Sequence, residues 1–243
     1  MKHLFLKGSY RDRIRMFIAM DGTGGGNDIT HGAVGSRRYR VTFKGPGGHS
    51  YGAFGLVNPA FAMGHAMKAF GSIVVPASPK TTYSVGVVGG GTSVNSIPFE
   101  SWMEVDMRSE SAAELQKVES QFRAAMQQAA DEENKTRSTA QGRITVDLQL
   151  IGDRPSGQTP RDSPIVLTAA AVVRTMGLTP QFSFSSTDAN LPISFGIPAI
   201  TVDSGGRGGR AHALDEWIDV EKTTSLQGIQ SALILLLTLA GMQ

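Results

Sequence analysis

The sequence predicts an α/β protein in two parts: an α/β domain and, inserted into it, a ferredoxin-like unit. Three observations carry this. Between about residues 38 and 152 the hydropathy periods follow the order β-α-β-β-α-β, the split unit of a four-stranded antiparallel sheet with two helices on one face. After Pro155 the texture changes to an α-β-α-β-α alternation, which argues a parallel or mixed sheet. Ile197 to Val202 is nearly continuously apolar, as expected of a strand covered on both faces. Residues 1–35 and 155–243 are therefore expected to form one domain, with 36–154 inserted between them.

Each element has its own signal. Lys2 to Arg15 reads as helix, and Phe17-Ile18-Ala19-Met20 as a short buried strand stopping at Asp21-Gly22. Gly22 to Asp28 is glycine-rich and reads as a loop. Tyr39 to Phe43 alternates with period two, a half-buried strand. Asn58-Pro59 supplies an N-cap and a first-turn proline for a helix reaching about Phe70. Thr81 to Val88 and Ser101 to Met107 are strands, the second alternating Trp102, Glu104 and Asp106 against Met103, Val105 and Met107. From Ser111 to about Asn134 a long amphipathic helix carries Leu115, Val118, Phe122, Ala125 and Met126 on one stripe. A fourth alternating strand follows at Ile144 to Leu150. Beyond the loop 154–164 come a helix at Ile165 to Met176, a strand at Phe182 to Phe184, a helix start near Thr187 to Asn190 and a closing helix from Thr223 to Leu239.

Composition narrows the function. The 243 residues contain no cysteine, 23 Lys+Arg and 21 Asp+Glu. That excludes a disulfide scaffold, a thiolate metal site and a Cys nucleophile. A net charge of +2 gives no electrostatic case for nucleic acid, and Arg37, Arg38 and Arg40 read as a solvated strand edge. The longest apolar run, Ala232 to Ala240, is short of the roughly 20 residues that span a bilayer. Basic residues interrupt every apolar run near the start, so no signal peptide is read there. The expectation is a cytoplasmic protein without nucleic-acid or membrane partners. The 29 glycines, about 12% against a usual ~7%, point to many tight turns.

Several residues could carry chemistry. Asp21 ends an apolar strand, where ligands bind in open α/β sheets; an Asp before Gly is also an ordinary turn former. Glycines 22, 24, 25 and 26 lack the Lys-Ser/Thr of a phosphate loop. His49 follows Gly45-Pro46-Gly47-Gly48 and could donate to a carboxylate or an oxyanion, or be a surface loop histidine. His212 follows the glycine-rich run 205–211, with Asp215, Glu216 and Asp219 nearby to orient a zinc-binding imidazole. His65 reads as a core or boundary histidine, while His3 and His31 have no supporting pattern. Glu132-Glu133, beside Asp131, reads as a solvated helix face. No H-E-x-x-H motif occurs.

Five segments together resemble one family: 45–50, Gly90 to Pro98, Glu104-Val105-Asp106-Met107-Arg108, Ser186-Thr187-Asp188, and Ala211 to Glu216. The sequence resembles the di-zinc metallopeptidases that include aminoacylase, acetylornithine deacetylase, succinyl-diaminopimelate desuccinylase, bacterial glutamate carboxypeptidase and peptidase T. The resemblance implies that Asp21 and His212 are zinc ligands. It implies that His49, from a lid and dimerisation domain, polarises the scissile carbonyl in a neighbouring subunit. Asn95 and Arg108 would hold the substrate's carboxylate end, and Thr187 would be a further substrate contact. The activity implied is metal-assisted hydrolysis of peptides or N-acyl amino acids by two zinc ions and a Glu base, in a homodimer. The family's first His-x-Asp, its metal-bridging Asp and its Glu-Glu pair fall before the position matching Met1. The expectation is thus the C-terminal portion of such an enzyme, inactive alone; the alternative is a non-catalytic dimerisation or binding module.

Overall fold

A computed structural model describes residues 3–8 and 11–241, which divide into two compact units: the residues up to Val34 with Arg154 onward, and Gly35–Asp153. In the first unit, short helical turns occur at His3–Lys7 and Arg11–Arg13. These replace the longer helix expected over Lys2 to Arg15; Lys2, Ser9 and Tyr10 lie outside the described residues. Then come β1 (Phe17–Met20) and β2 (Asp28–Ala33).

The second unit runs β3 (Gly35–Lys44), β4 (Gly48–His49), α1 (Pro59–Gly71), β5 (Thr81–Gly90), β6 (Ser96–Ile97), β7 (Glu100–Ser109), α2 (Ala112–Thr136) and β8 (Thr145–Arg154). The chain returns to the first unit with β9 (Gly157–Gln158), α3 (Pro164–Thr175), β10 (Gln181–Ser185), α4 (Asn190–Ser194), β11 (Ala199–Val202), β12 (Arg207–Gly209), β13 (Trp217–Asp219) and α5 (Lys222–Leu239).

The inserted unit is ferredoxin-like: its four long strands lie in the order β5-β7-β3-β8, with β3 and β5 both antiparallel to β7. The period-two pattern buries Tyr39, Val41 and Phe43 of β3 with Met103, Val105 and Met107 of β7. Against them pack Ala62, Ala66 and Phe70 of α1 and Leu115, Val118, Phe122 and Met126 of α2. The helices start where their caps are written, with Asn58 Oδ1 accepting from the Ala60 N–H (2.9 Å) and Ser111 Oγ from that of Glu114 (3.4 Å).

Two polar readings change. Arg38 and Arg40 lie on an inner strand, not an edge, and pair with Asp106 and Glu104, each at 2.9 Å. Glu133 is not on a solvated face: it is 1% exposed, accepts the Asn58 N–H at 2.9 Å and pairs with Arg137 at 3.0 Å. It recurs seven residues after Met126, on the buried stripe of α2.

In the first unit β2 is central. It runs antiparallel to β11 and β9 and parallel to β10, while β1 lies parallel to β11 outside it. Ile29 and Ile200 from this mixed sheet pack with Ile165, Val166, Ala169 and Val173 of α3 and Leu235 of α5. A smaller cluster joins Ala33 and Ala199 to Ala189 and Ile193. The buried Asn190 Nδ2 donates to the carbonyls of both Val34 (2.8 Å) and Pro155 (2.9 Å). The outer face of α5 keeps Leu226, Ile229, Leu233 and Leu236 exposed.

Candidate functional site

β1 and β11 are parallel and in register, so the loops after them leave the sheet at the same end. Asp21 N–H donates to Val202 O at 3.2 Å. Ser204 donates to Gly22 O through both its N–H (3.0 Å) and its Oγ (2.6 Å). Gly22 has φ +77°, a conformation that costs glycine nothing. One residue before Ser204, Asp203 Oδ2 accepts the N–H groups of Gly26 (3.0 Å) and Asp28 (3.3 Å). Burial, aided by the Asp28 charge, holds the Asp203 carboxyl above its ordinary range despite these bonds. The glycine-rich loop is therefore tied to the end of β11, and the tie fixes where Asp21 emerges.

The β12–β13 hairpin carries His212 in the loop between its strands. Arg210 (φ +58°) and His212 (φ +66°) are both left-handed, a conformation costing non-glycine residues of order 1–3 kcal/mol. Bonds within the loop hold it: Arg210 Nε to Asp215 Oδ1 at 2.6 Å, and His212 N–H to Glu216 Oε2 at 3.1 Å. A cleft of about 540 Å³ is lined by Gly22 and Thr23 beside Asp21, by Arg210 and Ala211 beside His212, and by Glu216 and Trp217. The loops of the two expected metal ligands thus meet at one cleft.

By themselves the described residues do not complete a catalytic zinc site. Catalytic zinc takes three protein ligands plus water, and among the described residues no three His, Asp or Glu side chains stand together to hold a metal.

In the inserted unit β4 and β6 pair His49 with Ser96, and Ser50 N–H donates to Asn95 O at 2.9 Å. His49 and Asn95 are therefore at one corner, both exposed. Gly47, before β4, packs tightly on Phe99: its φ is +69°, and a Cβ there would meet the Phe99 ring at 2.6 Å. Arg108 is elsewhere. β7 starts beside that corner at Glu100, and Arg108 lies near its other end, roughly 27 Å along at about 3.4 Å per residue. Arg108 Nε donates to Asp106 Oδ2 at 2.5 Å. With Arg38 bonding the other oxygen, Asp106 is held below the usual carboxylate range although burial opposes this.

Thr187 is buried, its hydroxyl engaged by Thr201 Oγ1 at 2.6 Å and by the Ala189 N–H at 3.2 Å. His31, without a sequence signal, is 4% exposed on β2, with Nδ1 2.9 Å from Thr159 O and Nε2 accepting from Arg161 Nε at 3.4 Å.

Comparison with known proteins adds the family. A profile described as a peptidase dimerisation domain matches residues 31–134. This segment is similar to a peptidase dimerisation domain. The fold extends the likeness on both sides of it. The chain superposes on the aminopeptidase PepT from Bacillus cereus (TM-score 0.71, 20% identity) over 94% of its own length and 58% of that chain. It matches a tripeptidase from Staphylococcus aureus (TM-score 0.69, 17% identity) over 91% and 56%. An amidase of the hydantoinase/carbamoylase family from Burkholderia vietnamiensis gives TM-score 0.71 at 17% identity over 92% and 54%. The chain thus spans a little over half the length of these solved structures. A search of curated proteins by sequence finds no match. The dimerisation domain and these neighbours agree with the metallopeptidase resemblance read from the motifs, and its sheet order is ferredoxin-like. Among the described residues no helix is long and apolar enough to cross a membrane.

Proposed function

We propose that this chain furnishes the dimerisation lid, residues 36–154, and part of the α/β domain of a cytoplasmic peptidase or deacylase. The enzyme would hydrolyse an amide bond next to a free carboxylate, in a peptide or an N-acyl amino acid. Two observations carry the reading: the match to a dimerisation domain, and the meeting of the Asp21 and His212 loops at one cleft of the α/β domain. Asp21 and His212 are the proposed zinc ligands. Two are too few for a catalytic zinc, so no hydrolytic step is assigned to this chain by itself.

The lid supplies substrate contacts in this reading. His49 donates to the scissile carbonyl and Asn95 stands beside it. Arg108 holds a carboxylate through the Nη groups that Asp106 leaves unengaged. Because Arg108 is at the other end of β7, it and the His49–Asn95 corner serve different sites, which a homodimer provides. The edge strands β5 and β8 are where two lids could pair.

The purified chain, supplied with zinc, is expected to leave dipeptides and N-acyl amino acids intact; zinc-dependent turnover would overturn this. Sedimentation at micromolar concentration should show a dimer, and a monomer would count against the pairing. A dimerisation module without chemistry is the second reading, favoured by the complete lid beside an incomplete ligand set. Zinc uptake lost in Asp21→Asn or His212→Gln favours the peptidase part; no uptake favours the module.

A further inference from the structure

His49 Nδ1 lies 3.2 Å from the backbone N of Tyr51 and 3.3 Å from that of Gly52, and both N–H groups point at it. A backbone N–H can only donate, so Nδ1 must accept, and an accepting ring nitrogen carries no proton. We infer that the amides of Tyr51 and Gly52 fix His49 as the Nε2–H tautomer, making it a directed hydrogen-bond donor rather than a proton acceptor at its outer nitrogen. This rests on the proposed role of His49 at a scissile carbonyl and deepens it by assigning what positions the ring.

The local fold explains why these amides are available. His49 ends β4, where its ladder partner is Ser96. The chain then turns tightly, Ala53 N–H donating to His49 O at 2.9 Å. Within such a turn the intermediate N–H groups of residues 51 and 52 have no carbonyl of their own to reach, as at the start of a helix. The imidazole folds back and takes both. A Cβ at Gly52 would sit 4.0 Å from His49 Cβ, an ordinary contact, so the turn here requires the Gly52 N–H and not the absence of a side chain.

The consequence is chemical. With Nδ1 occupied, Nε2–H is the group turned outward, and it can donate to a carbonyl oxygen as negative charge develops there. The same ring cannot take a proton from water through Nε2 while in this tautomer. Under the proposed reading the base must therefore be another group. Tyr51 and Gly52 act through their backbones, as positioning residues.

His31 provides an internal contrast. Its Nδ1 faces the Thr159 carbonyl and its Nε2 faces the Arg161 donor. A carbonyl only accepts and a guanidinium only donates, so His31 is held in the opposite, Nδ1–H form.

The test is the ¹⁵N imidazole spectrum of the intact chain, recorded at alkaline pH. His49→Gln and His31→Gln assign the two rings by loss of signal. The expected result is a pyridine-type Nδ1 and a pyrrole-type Nε2 for His49, and the reverse for His31. Averaged shifts for His49, like those of a free imidazole, or an Nδ1–H pattern, would overturn the inference. Gly52→Pro removes one donor and should move the His49 shifts toward the averaged values, whereas Gly52→Ala keeps the N–H and should leave them in place. If Gly52→Pro does not fold, the wild-type spectrum decides alone. No substrate is needed, so a failed tautomer assignment is distinguishable from a failed functional reading.

Discussion

Gly24 lies so close against the side chain of Asp203 that a Cβ on it would overlap the carboxylate. Asp203 in turn holds the loop through the N–H groups of Gly26 and Asp28. Gly24→Ala must therefore push the carboxylate off two hydrogen bonds, at a cost of about 1–3 kcal/mol, read as a lower urea midpoint with unchanged slope.

Asp203→Asn tests the charge without the bonds, since an amide oxygen can accept from the same N–H groups. The Asp203 carboxyl is held above its ordinary value, first by burial. The folded state therefore binds the proton more tightly than the unfolded chain. Its favourable contribution is complete below the unfolded value near 3.9 and is lost as pH rises through the higher folded one. Melting curves should show Asp203→Asn gaining on the wild type from acid to neutral pH. A constant difference would refute the assignment.

Glu133 accepts the N–H of Asn58, the cap of α1, and pairs with Arg137. Glu133→Ala leaves that N–H and the partly buried guanidinium without it, and should lower stability by about 3 kcal/mol, toward the low end for breaking a buried pair. Glu133→Gln retains an acceptor for Asn58 and should be milder. Equal losses would show that the charge alone matters.

Tyr39 donates its hydroxyl to Glu119 and accepts from Arg123 Nη2 at 2.5 Å. Burial and Glu119 raise its ionisation above the usual value near 10. Tyr39→Phe should cost about 1.5–3 kcal/mol near neutral pH. Above pH 10 the unfolded tyrosine ionises first, so this wild-type advantage should shrink as pH rises. Unfolding curves at two alkaline pH values suffice to check it.

Glu221 caps α5 by accepting from the N–H groups of Thr223 and Thr224, which hold its carboxyl down at about 2. A lowered carboxyl stabilises above the unfolded value and loses that effect as pH falls toward 2. Glu221→Ala should thus melt earlier at neutral pH and converge with the wild type in strong acid.

Where the hydropathy period was clear, the sequence reading and the structure coincide. The strand 101–107, the helix capped by Asn58-Pro59 and the helix capped by Ser111 all belong to a unit with one apolar and one polar side per element. β2 was invisible for the opposite reason. Asp28-Ile29-Thr30-His31-Gly32-Ala33 is enclosed in the sheet, and its polar groups find partners there: Thr30 Oγ1 meets Ser183 Oγ at 2.9 Å, and His31 meets Thr159 O. Burial that relies on hydrogen bonds leaves no apolar alternation to read. Glu133 misled in the same way, although Glu119, Met126 and Glu133 recur every seven residues on one stripe of α2. Of the candidate site, the His49–Asn95 corner and the shared cleft required tertiary pairing, and the distance of Arg108 from that corner follows from an unbroken strand that motif spacing does not reveal.

The single Asn190 amide that bonds both Val34 and Pro155 also fixes how the inserted unit is attached. Two backbone carbonyls that share one NH₂ group are only a few ångströms apart, so the polypeptide departs from the first unit and returns to it almost at one point. Closing such a gap needs a bridge of very few residues and little chain entropy. The inserted unit is in this sense a cassette: it could be excised, exchanged or lengthened while the sheet that hosts it keeps its register.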